Sequence, residues 1–289
     1  MIEGLFSLAF LAQLVRIAVP YALAAMGGSI TERAGVIDLA LEAKLLFGAF
    51  AAAAAAHASG SAYVGVLGGM AAGVAVTAVQ LFCALRLRAD QVIVGVALNV
   101  LALGGTRFLL QLVYHEGANS PPVASFGNEV AQNPLVWLAI LSAVGLPFAL
   151  RHTRWGLRLR AAGDRPDALV TVGVPPSHPR IAAALVGGAL TGAGGAQLTL
   201  AVGGFVADMS GGRGYIALAM VILAGWRPAI AALACAGLAA AEAFNIQLQV
   251  TSSGIPHELA QIVPSALTLA VLVIAGGEHG KPPRSLGKL

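Results

Sequence analysis

Leu45-Leu46-Phe47-Gly48-Ala49-Phe50-Ala51-Ala52-Ala53-Ala54-Ala55-Ala56 is an unbroken apolar run, and residues 182–195 form another, with Thr191 as their one polar side chain. A strand of a membrane barrel would alternate apolar and polar residues over segments of about ten. Neither run alternates, so both read as helices without a polar face. The rest of the chain agrees: its 289 residues are 58% hydrophobic and 10% charged, with a mean hydropathy of +0.83. A soluble globular protein carries about 25% charged residues, so this chain has too few to clothe a water-facing surface. Disorder needs low hydrophobicity and high charge and is excluded too. The predicted fold is an all-α polytopic membrane protein, one transmembrane domain over residues 1–289. At about 20 residues per span, the length accommodates about 8–9 transmembrane helices with short loops.

Residues 151–180 set the orientation. They hold Arg151, Arg154, Arg158, Arg160, Arg165 and Arg180, opposed only by Asp164 and Asp167. Cytoplasmic loops collect Lys and Arg, so this loop is expected inside. Counting outward places spans near residues 8–28, 36–57, 61–85, 91–113 and 134–150 before it, and 181–201, 215–226, 229–247 and 259–275 after it. Arg86, Arg88, Arg227 and the tail with Lys281, Arg284 and Lys288 then share the inner side. The loop 114–133, which has no Lys or Arg, falls outside. The net charge of +4 is thus topological and does not point to nucleic acid. The span near Tyr215 is short and is expected to join a broken segment from Phe205, interrupted at Ser210-Gly211-Gly212-Arg213-Gly214. Arg16, Lys44 and Arg107 fall inside predicted spans, where a charge must be paired or hydrated.

Cys83 and Cys235 sit in apolar runs and read as small buried hydrophobes. The opening Met1-Ile2-Glu3 lacks the basic region of a cleaved secretory signal. The histidines are scattered without metal-ligand spacing, so no metal site and no catalytic set is expected.

The polar loop has its own internal order. Asp164 is a good helix N-cap, Pro166 suits a first turn, Asp167 lies near the positive end of the dipole, and Gly173 supplies a stop. A short surface helix of about eight residues is predicted, roughly 12 Å long. It is either an ordinary helical loop or a knob for a cytoplasmic partner, with Ala161, Ala162 and Ala168 permitting close approach.

Asp38 and Glu42 stand i, i+4 and would share a helix face. They form a structural set with Arg33 and Lys44, or they line a cavity and bond a polar ligand. Asn99 and Gln197 are neutral polar groups in apolar runs, and each must bond a neighbouring helix or face a pathway. The broken segment with Asp208, Ser210 and Arg213 is a candidate gate, or a re-entrant turn stapled by Asp208 and Arg213. No G-x-x-x-x-G-K-[ST] loop is present, so ATP, if used, must be bound by another chain.

The segment from Thr153 to Gly173 resembles the coupling loop of ABC-importer permeases in the branched-chain amino acid, ribose and nucleoside group. The pattern T-x-x-G-x-x-x-R-A-x-G-x-x-P-x-A-A-x-x-x-G is matched at Thr153, Gly156, Arg160, Ala161, Gly163, Pro166, Ala168 and Gly173, with Leu169 at the second alanine. Glu32-Arg33-Ala34-Gly35-Val36-Ile37-Asp38, Gln91-Val92-Ile93-Val94-Gly95-Val96-Ala97-Leu98-Asn99 and Met209-Ser210-Gly211-Gly212-Arg213-Gly214-Tyr215 resemble the nucleoside (simple sugar) branch in particular. Asp38 stands where that branch usually has Asn, Ala43 where it has Gly, and Ser265 where Tyr is common. The resemblance implies a permease subunit in a bacterial inner membrane, multi-pass, with a cytoplasmic C-terminus. It implies a second permease, a cytoplasmic ATPase holding ATP and Mg, and an extracytoplasmic solute-binding protein. It gives Arg160, Gly163, Asp164, Arg165, Pro166, Asp167, Ala168 and Gly173 the ATPase-coupling role. Asp38, Glu42, Asn99, Gln197, Ser210 and Arg213 remain the pathway candidates for a nucleoside or related polar solute. The competing reading is an ion-gradient-driven secondary transporter with Asp38, Glu42 and Glu242 as coupling carboxylates. A membrane enzyme or channel would need a catalytic constellation or a pore-lining charge repeat, and neither is seen.

Overall fold

The apolar runs become long helices because lipid leaves no other partner for backbone N–H and C=O groups. A computed structural model describes residues 8–126, 130–251 and 282–287. Its helices are α1 (Leu8–Arg33), α2 (Leu41–Ser59), α3 (Ala62–Leu85), α4 (Gln91–Tyr114), α5 (Pro134–His152), α6 (Arg154–Asp164), α7 (Pro166–Thr171), α8 (Ser177–Val202), α9 (Arg213–Leu223) and α10 (Pro228–Thr251). Seven of these, α1 to α5, α8 and α10, are long and apolar enough to cross a membrane. The predicted span at 259–275 lies outside the described residues.

Helix α8 is the axis of the bundle, packed against α1, α2 and α3. Small residues allow this closeness. A Cβ on Gly187 would overlap the Gly27 carbonyl of α1, and one on Gly192 would overlap the Gly69 carbonyl of α3. Backbone-to-backbone contact of this kind supplies packing that lipid itself does not drive. Large apolar side chains point outward instead, among them Phe108, Leu141 and Phe148.

The structure departs from the predicted elements in two places, the start of the second helix and the polar loop, and it keeps the short, broken span expected near Tyr215. The second helix starts at Leu41, so residues 34–40 enter the bundle as non-helical backbone, and Asp38 lies before the helix that carries Glu42. The pair is therefore not an i, i+4 helical pair. The span expected at 215–226 is α9, whose 11 residues reach about 16 Å, half a bilayer. The polar loop forms two helices. Asp164 is the last residue of α6 and does not cap the next one. Thr153 caps α6, accepting from the Gly156 N–H at 3.1 Å. The short α7 spans 6 residues and follows Arg165, which contributes no side-chain cap. The Leu157-Arg158-Leu159-Arg160-Ala161-Ala162 stretch is a good helix former, so α6 continues through to Asp164.

Candidate functional site

The passage 34–40 is non-helical backbone inside the bundle, so its peptide groups need partners. The N–H groups of Ala34, Gly35 and Val36 bond back to carbonyls at the end of α1, and side chains serve residues further on. Gln91 Oε1 accepts from the Ile37 N–H at 2.8 Å, and Gln80 Nε2 donates to the Ile37 carbonyl at 3.0 Å. Asn99 donates to the Leu39 carbonyl at 2.8 Å and accepts from the Ala43 N–H at 2.9 Å. Asn99 is therefore a clamp on this passage, with both ends of its amide occupied. Lys44 Nζ meets Asp38 Oδ1 at 2.5 Å, and neither side chain has any exposed surface. Glu32 accepts from Trp226 Nε1 at 2.6 Å and lies 3.4 Å from the Asp38 N–H. Arg33 donates to the Trp226 carbonyl and takes no part in the Asp38–Lys44 pair.

Glu42 holds the start of the half-length helix. Its carboxylate accepts from Ser210 Oγ at 2.6 Å, the Gly212 N–H at 2.9 Å and the Gly214 N–H at 2.6 Å. It thus takes up free backbone donors at the N-terminus of α9 and faces the positive end of its dipole. Gly214 has no alternative, because a Cβ there would overlap the Glu42 backbone. Glu42 and Ser210 are consequently brought together, each as the other's partner.

Asp208 and Arg213 do not staple one another. Asp208 pairs with Arg107 of α4, which explains the charge inside that predicted span. Arg213 donates to the Met209 carbonyl at 2.9 Å and approaches Glu242 Oε1 of α10 at 3.4 Å. Tyr21 of α1 donates to the other Glu242 oxygen at 3.1 Å. Gln197 accepts from Asn133 Nδ2 at 2.8 Å, joining α8 to the cap of α5. The segment after α8 is laced to the loop after α4, with Ser120 N–H donating to the Phe205 carbonyl and Ala207 N–H to Ala118. Pairing across more than 80 residues, as in Ser120–Phe205, leaves no local sequence signal.

At the opposite end, the basic loop presents a shaped surface. Asp164, Arg165, Asp167, Ala168 and Gly173 are exposed, Arg160 and Pro166 are half-buried, and Gly163 is buried. Gly163 lies against the α1 terminus, where a Cβ would overlap the Arg33 carbonyl. Leu157, Val170 and Val172 stand exposed beside these charges. Sequence reasoning missed them, although their place in an otherwise polar loop was the available signal. It also missed Ser285. Its hydroxyl lies 2.8 Å from the Ala162 carbonyl and 2.6 Å from that of Gly163, and its N–H donates to Gly163 at 2.9 Å. Gly287 N–H donates to the Gly35 carbonyl, and Arg180 donates to both Ala162 O and Ser285 Oγ. The tail 282–287 therefore ties α6 to the turn after α1.

Polar groups confined to the two ends and to a mid-bundle seam, within helices that otherwise meet lipid, define a multi-pass membrane protein with a broken helix pair at its centre. The chain belongs to the family described as branched-chain amino acid transport system, permease component, whose model matches residues 10–272. It is 35% identical over 238 residues to the putative glucose ABC transporter permease protein TsgC13 of Haloferax volcanii, covering 77% of this chain and 72% of that one. It is 30% identical to the guanosine ABC transporter permease protein NupQ of Bacillus subtilis, over 88% of each chain. It is 29% identical to the nucleoside ABC transporter permease protein NupC of Lactococcus lactis, over 91% of this chain and 90% of that one. No solved structure matches the chain.

Proposed function

We propose that this permease subunit forms the pathway by which a nucleoside, or a related uncharged polar solute, crosses a bacterial inner membrane. The ATP is bound and hydrolysed by a separate cytoplasmic ATPase, and this chain carries out no chemistry of its own. A second permease completes the pathway, and an extracytoplasmic binding protein delivers the solute. The relatives named for guanosine, nucleosides and glucose support the solute class.

One observation carries the coupling role. The basic loop is a pair of helices fixed at its base and free at its tip. Its base is set by Gly163 against Arg33 and by Ser285 on the α6 carbonyls. Its tip shows Arg165, Asp167, Ala168, Val170 and Val172 to a partner. A push on the tip is thereby transmitted to α1 and to passage 34–40. The basic composition supports placing this end, and the tail, in the cytoplasm.

The test uses Val170→Asp, an exposed change that leaves the base of the loop intact. In proteoliposomes holding the full importer, it is expected to lower solute uptake per ATP hydrolysed by about tenfold, the effect of one desolvated charge at a contact centre. Unchanged uptake per ATP would remove the coupling role. The ion-driven alternative is disfavoured by the positions of Asp38 and Glu42. One is bound to Lys44 and the other to the start of α9, and the third candidate, Glu242, is engaged by Tyr21 and Arg213.

A further inference from the structure

Tyr21, Arg213 and Glu242 come from three helices and meet at one depth. Tyr21 is mid-way along α1 (Leu8–Arg33), Glu242 is near the middle of α10 (Pro228–Thr251), and Arg213 opens the half-length α9. Tyr21 donates to Glu242 at 3.1 Å, Arg213 approaches the same carboxylate at 3.4 Å, and its guanidinium carbon is 5.7 Å from the Tyr21 ring centroid. The Arg213 and Glu242 side chains are 27% and 23% exposed, whereas the Asp38–Lys44 pair is fully enclosed. Charged groups at the centre of a bilayer face protein or a water-filled cavity, not acyl chains. Transporters build solute sites near the midplane where broken helices end.

We propose that Arg213 and Glu242 form a solute-contacting station at the midplane of the pathway, with Tyr21 as the positioning residue beneath them. This rests on the permease reading above and adds to it the site and its chemical preference. Glu242 neutralises Arg213, so the station offers no net charge to a phosphate or carboxylate. It offers a donor fork and a carboxylate acceptor side by side. That combination suits an uncharged solute bearing both donors and acceptors, such as the hydroxyls and amide edge of a nucleoside or the hydroxyls of a sugar. Glu42 is not part of the station, since its oxygens are taken by Ser210, Gly212 and Gly214.

The test is ATP-driven uptake of guanosine and of glucose by the full importer in proteoliposomes, with Arg213→Gln and Glu242→Gln combined. The double change leaves no isolated charge at the midplane but also frees the Met209 carbonyl that Arg213 holds, so a pair serving structure alone predicts uptake that falls no further than complex yield does. A contacting pair predicts a loss of about tenfold or more at unchanged complex yield, the scale of lost hydrogen bonds to charged groups. A second arm covers poor assembly. Glu242→Cys, in a chain also carrying Cys83→Ser and Cys235→Ala, is treated with a membrane-impermeant methanethiosulfonate. Reaction slowed at least threefold by saturating guanosine or glucose during turnover supports the station. An introduced thiol that is inert in every state, or a reaction rate that neither solute changes, overturns it. In either of these cases, ATP-driven uptake by the unsubstituted importer leaves the permease reading standing. Absence of that uptake removes both.

Discussion

Lys44 is the residue whose placement says most about the bundle. A fully buried ammonium costs several kcal/mol to desolvate, and here it is held by Asp38 at 2.5 Å. Replacing Lys44 with Met would leave the Asp38 carboxylate alone in the core, at a cost of about 3–5 kcal/mol. Adding Asp38→Asn should restore most of that stability, as read by thermal unfolding in detergent; equal instability of the single and double variants would contradict the pairing. The sequence made the need for a partner plain, since Lys44 sat inside a predicted span. It placed Asp38 and Glu42 on one helical face, and that failed, because the helix starts only at Leu41. Gln80, Gln91 and Asn99 stabilise the non-helical passage from 43 to 60 residues away. Periodicity reads neighbours three and four residues apart and has no access to such clamps.

At the scale of elements, the basic loop and the tail act together. Ser285 takes up carbonyls at the end of α6, where a helix has no internal donors left for them. Deleting residues 282–289 should leave the chain inserted and paired with the ATPase, while lowering uptake per ATP hydrolysed by about tenfold or more, from loss of the bonds made by the Ser285 hydroxyl, the Ser285 N–H and the Gly287 N–H, each worth about 0.5–1.5 kcal/mol net. Full coupling in the truncated chain would show that α6 is held well enough by Gly163 and Arg33 alone. The same contact redirects mutagenesis of the loop. Gly163→Asp would collide with the Arg33 carbonyl and disturb the fold itself, so exposed Val170 is the cleaner probe of docking. The existence of this loop was legible from its arginines, and its Pro166 and Gly173 punctuation was read correctly. Its division into α6 and α7 was not, because Asp164 satisfies the statistics of a cap while the preceding stretch is itself strongly helical. The half-length of α9 was legible from its short apolar run. Its anchoring by Glu42, across 172 residues, was not.

For the whole molecule, composition alone fixed the class: too few charges for a soluble surface, and apolar runs that only helices can carry through lipid. The architecture adds a glycine-lined axis at α8, on which α1, α2 and α3 lie close enough for backbones to touch. Small residues at these helix contacts let the backbones approach closely, so the four helices pack as one tight unit. The basic end connects to this axis through α1 and passage 34–40, and the midplane is marked by the start of α9. On this reading the chain is a passive pathway moved from one end. Its most direct test is solute uptake into proteoliposomes holding the purified chain, either alone under an imposed proton or sodium gradient, or assembled with its ATPase, second permease and binding protein and given ATP. Accumulation of guanosine or glucose only in the assembled, ATP-supplied vesicles is the predicted result; accumulation by the chain alone, driven by an ion gradient, would contradict it.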